Sequence, residues 1–256
     1  MRLKEIKGER VPSIGLGTWR LSGGACAEAV ENALSLGYRH IDTAQMYDNE
    51  EEVGRGISSS GVGREEIFLV TKLSTSNFTR EKALRSGRES VKRLGADYVD
   101  LLLMHWPNPS VPLEETLDAM RELQEEGSVR HIGVSNFPAS MVEEATRHAE
   151  IFCNQVEYHP RNPQDELAAQ AKELDYLLTA YSPVAKGRIK DDPTLKEIGE
   201  AHGKTPAQVA LRWLVQQEKV AAIPKAQGRE HQESNLDIFD FELSEEEMRR
   251  ISGLGR

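Results

Sequence analysis

A β-then-α alternation, repeated to a count of roughly eight with no linker between repeats, predicts an α/β chain folded as a (β/α)8 TIM barrel with an N-terminal β-hairpin. Three observations favour the closed barrel over an open doubly wound sheet. The strand count matches. The length matches, since 256 residues is close to the usual size of such a barrel. The side chains with chemistry to offer fall at the C-terminal ends of several different strands, where barrels of this kind keep their active sites. An open sheet would need a glycine-rich phosphate loop leading into a helix after an early strand. Gly15-Leu-Gly17 lacks the third glycine and the helix of that fingerprint. No composition break, repeat or low-complexity segment divides the chain, so one domain over residues 1–256 is expected.

The opening residues, Leu3 to Ile6 with Lys7-Gly8-Glu9 as turn, read as a short hairpin. Ile14–Trp19 is a short strand whose glycines permit close backbone approach. Ala25–Leu36 is an amphipathic helix ended by Gly37. Strand Tyr38–Ala44 follows, then a short helix Glu50–Ile57 that stops near Gly61-Val-Gly63. Strand Ile67–Leu73 leads to helix Arg80–Leu94, with Thr79 as N-cap. Tyr98–Met104 is nearly all apolar, as expected of a strand buried on both faces. Helix Pro112–Glu126 ends at Gly127. Strand Val129–Ser135, helix Pro138–Ala149, strand Ile151–Val156, helix Asp165–Leu174 and strand Tyr176–Tyr181 continue the alternation. Helices Thr194–Ala201 and Pro206–Gln216 precede the last strand, Val220–Ile223. Helical stretches near Glu230–Leu236 and Glu245–Ile251 close the chain, the latter capped by Ser244.

Hydrophobic content of 38% against 29% charged suits a buried core rather than disorder. The net charge is −10 and no basic run occurs, which argues against nucleic acid or an anionic membrane surface as partner. A phosphorylated cofactor stays open, because it needs only a local basic pocket. Cys26 and Cys153 have no metal-type spacing and read as buried apolar residues in a reducing compartment. The first residues lack the apolar run of a signal peptide, and no stretch approaches a membrane span. A cytoplasmic monomer is therefore the expectation.

The segment Tyr38-Arg-His-Ile-Asp-Thr-Ala-Gln-Met-Tyr47 leaves its strand carrying a carboxylate, Asp42, and then a phenol, Tyr47. A buried carboxylate wants a cation. Lys72 and His105 stand at the exits of two later strands. If these exits meet, an ammonium–carboxylate pair and an imidazole flank a phenol, and that phenol can give a proton to a carbonyl oxygen. Tyr47 titrates near pH 10 when unperturbed, and a neighbouring ammonium is expected to lower that value. His40 shares the strand parity of Asp42 and is assigned to packing inside the barrel. A metal site of His40, Asp42 and His105 is the competing reading. Lys72 opposes it, because a cation beside a metal is unfavourable.

At this point the chain resembles the aldo-keto reductase family, in its prokaryotic NADPH-dependent type, diketogluconate reductases among them. The resemblance rests on an ordered set. Gly15-Leu-Gly-Thr-Trp19, Arg39-His-Ile-Asp-Thr-Ala44, Tyr47, Lys72, Met104-His-Trp-Pro107 and Ile132-Gly-Val-Ser-Asn-Phe137 come first. Asn154-Gln-Val-Glu-Tyr-His159, Ala180-Tyr-Ser-Pro183 and Ile223-Pro-Lys-Ala226 complete it. It implies NADP(H) bound in extended form without a Rossmann fold, and Asp42, Tyr47, Lys72 and His105 as a catalytic tetrad. It places Ser135, Asn136 and Gln155 around the nicotinamide carboxamide, and Tyr181 stacked on the ring. Ser182 and Val184 would hold the pyrophosphate, and Gly17, Thr18 and Trp19 the junction of ribose and substrate.

The last strand departs from the family pattern. Lys225 stands where the family grips the 2′-phosphate, and Ala226 replaces a frequent serine. His231 sits where an arginine usually completes the clamp, and Ser234 where a glutamate often meets adenine, while Asn235 is retained. Histidine loses the bidentate geometry of arginine, and Arg229 is a candidate to compensate. NADPH is the expected cofactor, with NADH possible. Trp19, Tyr47, His105 and Trp106 would line the substrate pocket. The chain ends at Arg256 without the long C-terminal loop that narrows the pocket in many animal members, so an open site for aldehydes, ketones or small sugar carbonyls is expected. The alternative from another class is a low-turnover NADPH-binding sensor or regulatory subunit. The complete tetrad, and the lack of an extra interaction segment, favour the enzyme.

Overall fold

The computed structural model describes residues 2–255. It opens with the antiparallel pair β1 (Leu3–Ile6) and β2 (Glu9–Pro12). The two residues between them, Lys7 and Gly8, both have positive φ, +48° and +84°. Their left-handed backbone suits the twist of a two-residue hairpin turn.

Eight parallel strands follow in sequence order: β3 (Leu16–Gly17), β4 (His40–Asp42), β5 (Phe68–Leu73), β6 (Val99–Met104), β7 (Val129–Ser135), β8 (Cys153–Glu157), β9 (Leu177–Tyr181) and β10 (Val220–Ala222). The first and last strands meet through bridges Ile14↔Ala222 and Gly17↔Lys225, which curl the sheet into the expected barrel. Gly17 sits on that seam, and its N–H donates to the carbonyl of Pro224 at 3.2 Å. A Cβ there would lie 2.7 Å from the Ile223 carbonyl oxygen, so a side chain would force the seam apart.

Among the described residues, ten α-helices pack around the strands: α1 (Gly23–Ser35), α2 (Glu50–Ser60), α3 (Arg80–Arg93), α4 (Leu113–Glu125), α5 (Ala139–His148), α6 (Asp165–Glu173), α7 (Pro193–His202), α8 (Pro206–Gln216), α9 (Arg229–Leu236) and α10 (Glu245–Ser252). Ser244 caps α10 as the sequence indicates, its hydroxyl accepting from the Glu247 N–H. Thr79 occupies the N-cap position of α3 but makes no side-chain cap bond.

The sequence misses four short 3-10 turns, Gln45–Tyr47, Arg64–Glu66, Thr75–Asn77 and Ala185–Gly187. Such turns carry no hydrophobic period to read. The strand expected over Tyr38–Ala44 is shorter, because only His40–Asp42 finds partners on β5. Tyr38 is fully buried, and its hydroxyl donates to the Gln232 carbonyl of α9 at 3.0 Å.

Strand alternation sorts the apolar residues into two layers. One face packs outward, with Ile41, Leu69, Leu102, Ile132 and Leu178 in the large core shared with the helices. The other fills the barrel with Val70, Leu101, Leu103, Cys153, Leu177 and Ala221, and the hairpin contributes Ile6 and Val11 to the same cluster. Two residues further along each strand, the same parity brings Lys72 after Val70, His105 after Leu103, Ser135 after Gly133 and Gln155 after Cys153. The apolar filling is thus topped by one polar layer. His40 lies inside as expected, buried, with Nδ1 3.3 Å from the Pro12 carbonyl and its ring edge-on to Phe68. Cys26 and Cys153 are buried and free. Among the described residues, no helix is long and apolar enough to cross a membrane.

Packing beneath the polar layer is tight at Gly133, where a Cβ would lie 2.5 Å from the Cys153 carbonyl oxygen and 2.8 Å from Leu103 Cδ2. Gly133→Ala should cost about 1–3 kcal/mol, as overpacked cores do. A urea midpoint equal to that of the wild type would show the barrel interior to be looser than described.

Candidate active site

Three strand exits and one turn build the site. Asp42 is the last residue of β4, and Lys72 the fifth residue of β5. His105 follows β6, and Tyr47 closes the 3-10 turn Gln45–Tyr47 after β4. The Lys72 side chain is 1% exposed and that of Asp42 2%. Lys72 Nζ donates to Asp42 Oδ1 at 2.6 Å and to the Thr43 carbonyl at 2.8 Å. Its third reach is to Tyr47 Oη, at 3.4 Å. The Tyr47 and His105 rings meet edge to face with centroids 5.7 Å apart. The four residues singled out in the sequence therefore form one cluster.

Both carboxylate oxygens of Asp42 are engaged, because Gln155 Nε2 donates to Oδ2 at 2.7 Å. β8 lies four strands from β4 around an eight-stranded ring, so Gln155 reaches across the mouth of the barrel. Ser135 Oγ donates to the Gln155 carbonyl at 2.8 Å. Asn136 Nδ2 donates to Ser135 Oγ at 3.0 Å and to the His105 carbonyl at 3.1 Å. Tyr181 Oη donates to Asn136 Oδ1 at 2.8 Å. Thr18 Oγ1 donates to the Asp42 carbonyl at 2.9 Å. The residues that the resemblance assigns to a nicotinamide thus form one hydrogen-bonded layer with the tetrad. The Gln155–Asp42 bond was not anticipated. Its signal was the interior parity shared by residues 153 and 155.

The electrostatics correct one expectation. Lys72 was expected to lower the Tyr47 hydroxyl, but its titration is raised. Burial is the largest cause; the Lys72 charge and hydrogen bond oppose it, and Asp42 adds to the rise. An ammonium already compensated by its own carboxylate offers less to a third group. Tyr47 is consequently a loaded acid at neutral pH, with an ammonium beside it to receive a phenolate. Burial alone would lower Lys72, but Asp42 and Tyr47 raise it above its ordinary value, so it stays charged. His105 is pulled down to about 4 by burial and by the Lys72 charge. It is a neutral imidazole at pH 7. Its Nδ1 is enclosed without a partner, which leaves Nε2 as the nitrogen with access to the site.

Trp19 and Trp106 are 41% and 47% exposed. No sequence pattern signals that Trp19 is flanked by cations, with Arg20 Cζ 4.3 Å and Lys186 Nζ 5.4 Å from its ring centroid. Ser182 and Val184 lie in the loop after β9, half-buried. This loop holds Ser182, Ala185 and Lys186 at positive φ. Lys225 is exposed, and Ala226 beside it is buried. His231 is exposed on α9 and Asn235 half-buried. Arg229 is not a free substitute for the missing arginine: Nε pairs with Glu233 at 3.0 Å, and Nη1 reaches Ser35 Oγ at 3.1 Å.

A barrel whose interior ends in a buried Lys–Asp pair, a phenol and a neutral imidazole has the parts of a proton-donating oxidoreductase. The chain belongs to the Aldo/keto reductase family, whose profile matches residues 13–256. It is 42% identical over 257 residues to the glyoxal reductase of Bacillus subtilis, covering 99% of this chain and 92% of that one. A crystal structure provisionally described as 2,5-diketo-D-gluconic acid reductase B superposes with a TM-score of 0.97 at 45% identity, covering 100% of this chain and 92% of that one. The aldo-keto reductase of Bombyx mori, solved in complex with NADP, superposes at 0.90 with 34% identity, covering 98% of this chain and 91% of that one.

The depressed His105 has a consequence for stability. The folded chain resists its protonation until about pH 4, whereas an unperturbed imidazole takes the proton near 6.5. Between those values the unfolded chain binds more protons, so this contribution to stability is lost as pH falls through the window. His105→Gln should remove that loss, and the stability advantage of the wild type over the variant should shrink from pH 6.5 to pH 4. An NMR titration placing the His105 midpoint at or above 6.5 would contradict the assignment.

Proposed function

We propose that this chain reduces aldehyde and ketone carbonyls to alcohols with NADPH, working as one barrel domain over residues 1–256. The observation that carries the proposal is the Lys72 ammonium, held 2.6 Å from Asp42 and 3.4 Å from Tyr47 Oη in a buried cluster. The bound nicotinamide supplies the hydride.

The remaining steps belong to the protein. Tyr47 donates its proton to the carbonyl oxygen, and the Lys72 ammonium stabilises the phenolate left behind. Asp42 fixes that ammonium in place. His105, being neutral, offers Nε2–H to the carbonyl oxygen without competing as an acid. Trp19 and Trp106 give the substrate apolar rim surface.

The amide and hydroxyl groups of Ser135, Asn136 and Gln155 fit the donor and acceptor pattern of a carboxamide. Tyr181, tied to Asn136, offers a ring face for stacking. Gly17, Thr18 and Trp19 would border the ribose, and Ser182 and Val184 the pyrophosphate. Lys225 would supply an exposed cation for a 2′-phosphate, and Ala226, His231 and Asn235 would complete that end of the cofactor site, as the resemblance implies. A lone lysine with histidine grips less specifically than an arginine fork, so NADH is the second cofactor to test. The proposal extends to a cytoplasmic monomer with no nucleic-acid or membrane partner, consistent with the acidic charge balance.

Tyr47→Phe should reduce turnover by about 10²–10⁴-fold while leaving cofactor affinity nearly intact, followed by loss of NADPH absorbance against a panel headed by glyoxal-type dicarbonyls. Retained turnover would move the acid role elsewhere. Silence of the wild type across the panel with tight NADPH binding would favour a sensor. The same panel run with both cofactors should favour NADPH in kcat/KM; equal efficiency, or a preference for NADH, would defeat the cofactor assignment.

A further inference from the structure

The catalytic phenol sits on a turn that holds itself weakly. Gln45–Tyr47 makes one 3-10 turn, with Tyr47 N–H to the Ala44 carbonyl at 3.0 Å and Asp48 N–H to the Gln45 carbonyl at 3.3 Å. It ends on Asp48, a non-glycine residue in the left-handed region at φ +52°. Among the described residues, the phenol oxygen has one polar contact, the long one to Lys72. The distances that matter to proton transfer are therefore set by whatever anchors this turn.

We infer that Gln45 is that anchor, a positioning residue for Tyr47. Its side-chain amide uses both ends. Oε1 accepts from the Ser74 N–H at 2.8 Å and from Asn77 Nδ2 at 3.0 Å. Nε2 donates to the Ser86 carbonyl at 3.1 Å and to Ser90 Oγ at 3.0 Å. Those partners lie on the loop after β5 and on α3, so the turn is pinned to the strand that bears Lys72 and to the helix behind it. One side chain thus couples the carrier of the phenol to the carrier of the ammonium. An amide is suited to this, with two donors on one end and two lone pairs on the other. On the far side of the turn, Asn49 Nδ2 donates to the Thr18 and Leu21 carbonyls at 3.0 and 2.9 Å. That bond pair ties the turn to the loop bearing Trp19; the tie to β5 beyond it, Thr71 Oγ1 donating to Glu50 Oε1 at 2.5 Å, holds the start of α2 rather than the turn itself. The motif around Asp42 and Tyr47 leaves position 45 unassigned, and the family resemblance says nothing of its role.

The inference rests on Tyr47 being the acid, and its test separates the two. Gln45→Met keeps the volume and removes all four hydrogen bonds. Because a misplacement of about 1 Å can cost about a hundredfold in rate, kcat for an aldehyde should fall by about that factor. KM and cofactor Kd should move by less than about twofold, the pattern of an interaction lost in the transition state. The alkaline limb of the kcat pH profile, where Tyr47 loses its proton, should shift with it. Deuterium exchange in residues 43–49 should accelerate, with the rest of the barrel unchanged. A folded Gln45→Met protein with wild-type kcat, or with wild-type exchange over 43–49, overturns the inference. Should that variant fail to fold, Asn77→Ala removes a single bond from a half-buried site. It should give a smaller fall of the same kind, and an unchanged kcat and exchange rate there overturn the inference equally. If the wild type reduces no carbonyl, the activity reading fails while the exchange measurement still decides the role of Gln45.

Discussion

An ammonium buried with a carboxylate at the top of a barrel is a costly arrangement. Everything else in the site answers to that cost. Removing one member of such a pair leaves an uncompensated charge and is worth about 3–5 kcal/mol. The pair is tolerated because its remaining donors and acceptors are met. Asp42 takes Lys72 on one oxygen and Gln155 on the other. Lys72 spends a second donor on the Thr43 carbonyl, and the third points at Tyr47. The barrel supplies this for a simple reason. Strands of one parity carry apolar residues up to a fixed height, and polar ones directly above.

The same network lets the proposed catalysis and the proposed cofactor recognition share little space. Gln155 touches Asp42, Ser135 touches Gln155, and Asn136 links Ser135, His105 and Tyr181. A group that rearranges hydrogen bonds at Asn136 or Gln155 is one or two bonds from the tetrad. The proposed cofactor binding at one end of the layer and the proposed proton donation at the other would therefore be physically connected. That connection gives reason to measure cofactor affinity beside turnover whenever the tetrad is changed.

Much of this was legible in the sequence. Lys72 and His105 close largely apolar runs, Asp42 ends a strand, and a polar residue at such a position has few other places to go. The barrel followed from the alternation, and the interior place of His40 from strand parity. What resisted reading was long-range or irregular. Tyr47 stands on a 3-10 turn with no periodicity, so its neighbour Gln45 gave no sign of its bonds to Ser74, Asn77, Ser86 and Ser90. The Gln155–Asp42 bond joins residues 113 apart, across the barrel mouth. Arg229 looked free, but an acid four residues along its own helix claims it. The direction of the Tyr47 shift depended on a balance of burial against a charge already paired, and no local pattern encodes that balance.

The account stands on Lys72 favouring the ionised form of the Tyr47 phenol against the burial that opposes it. The most direct measurement is the titration of Tyr47, followed by NMR with tyrosine labelled at Cζ, in the wild type and in Lys72→Met. If the account holds, the phenol titrates higher in the variant, because burial then acts with the Asp42 charge and without the ammonium. A Tyr47 titration that stays where it was, or moves down, would mean that the ammonium does not act on the phenol.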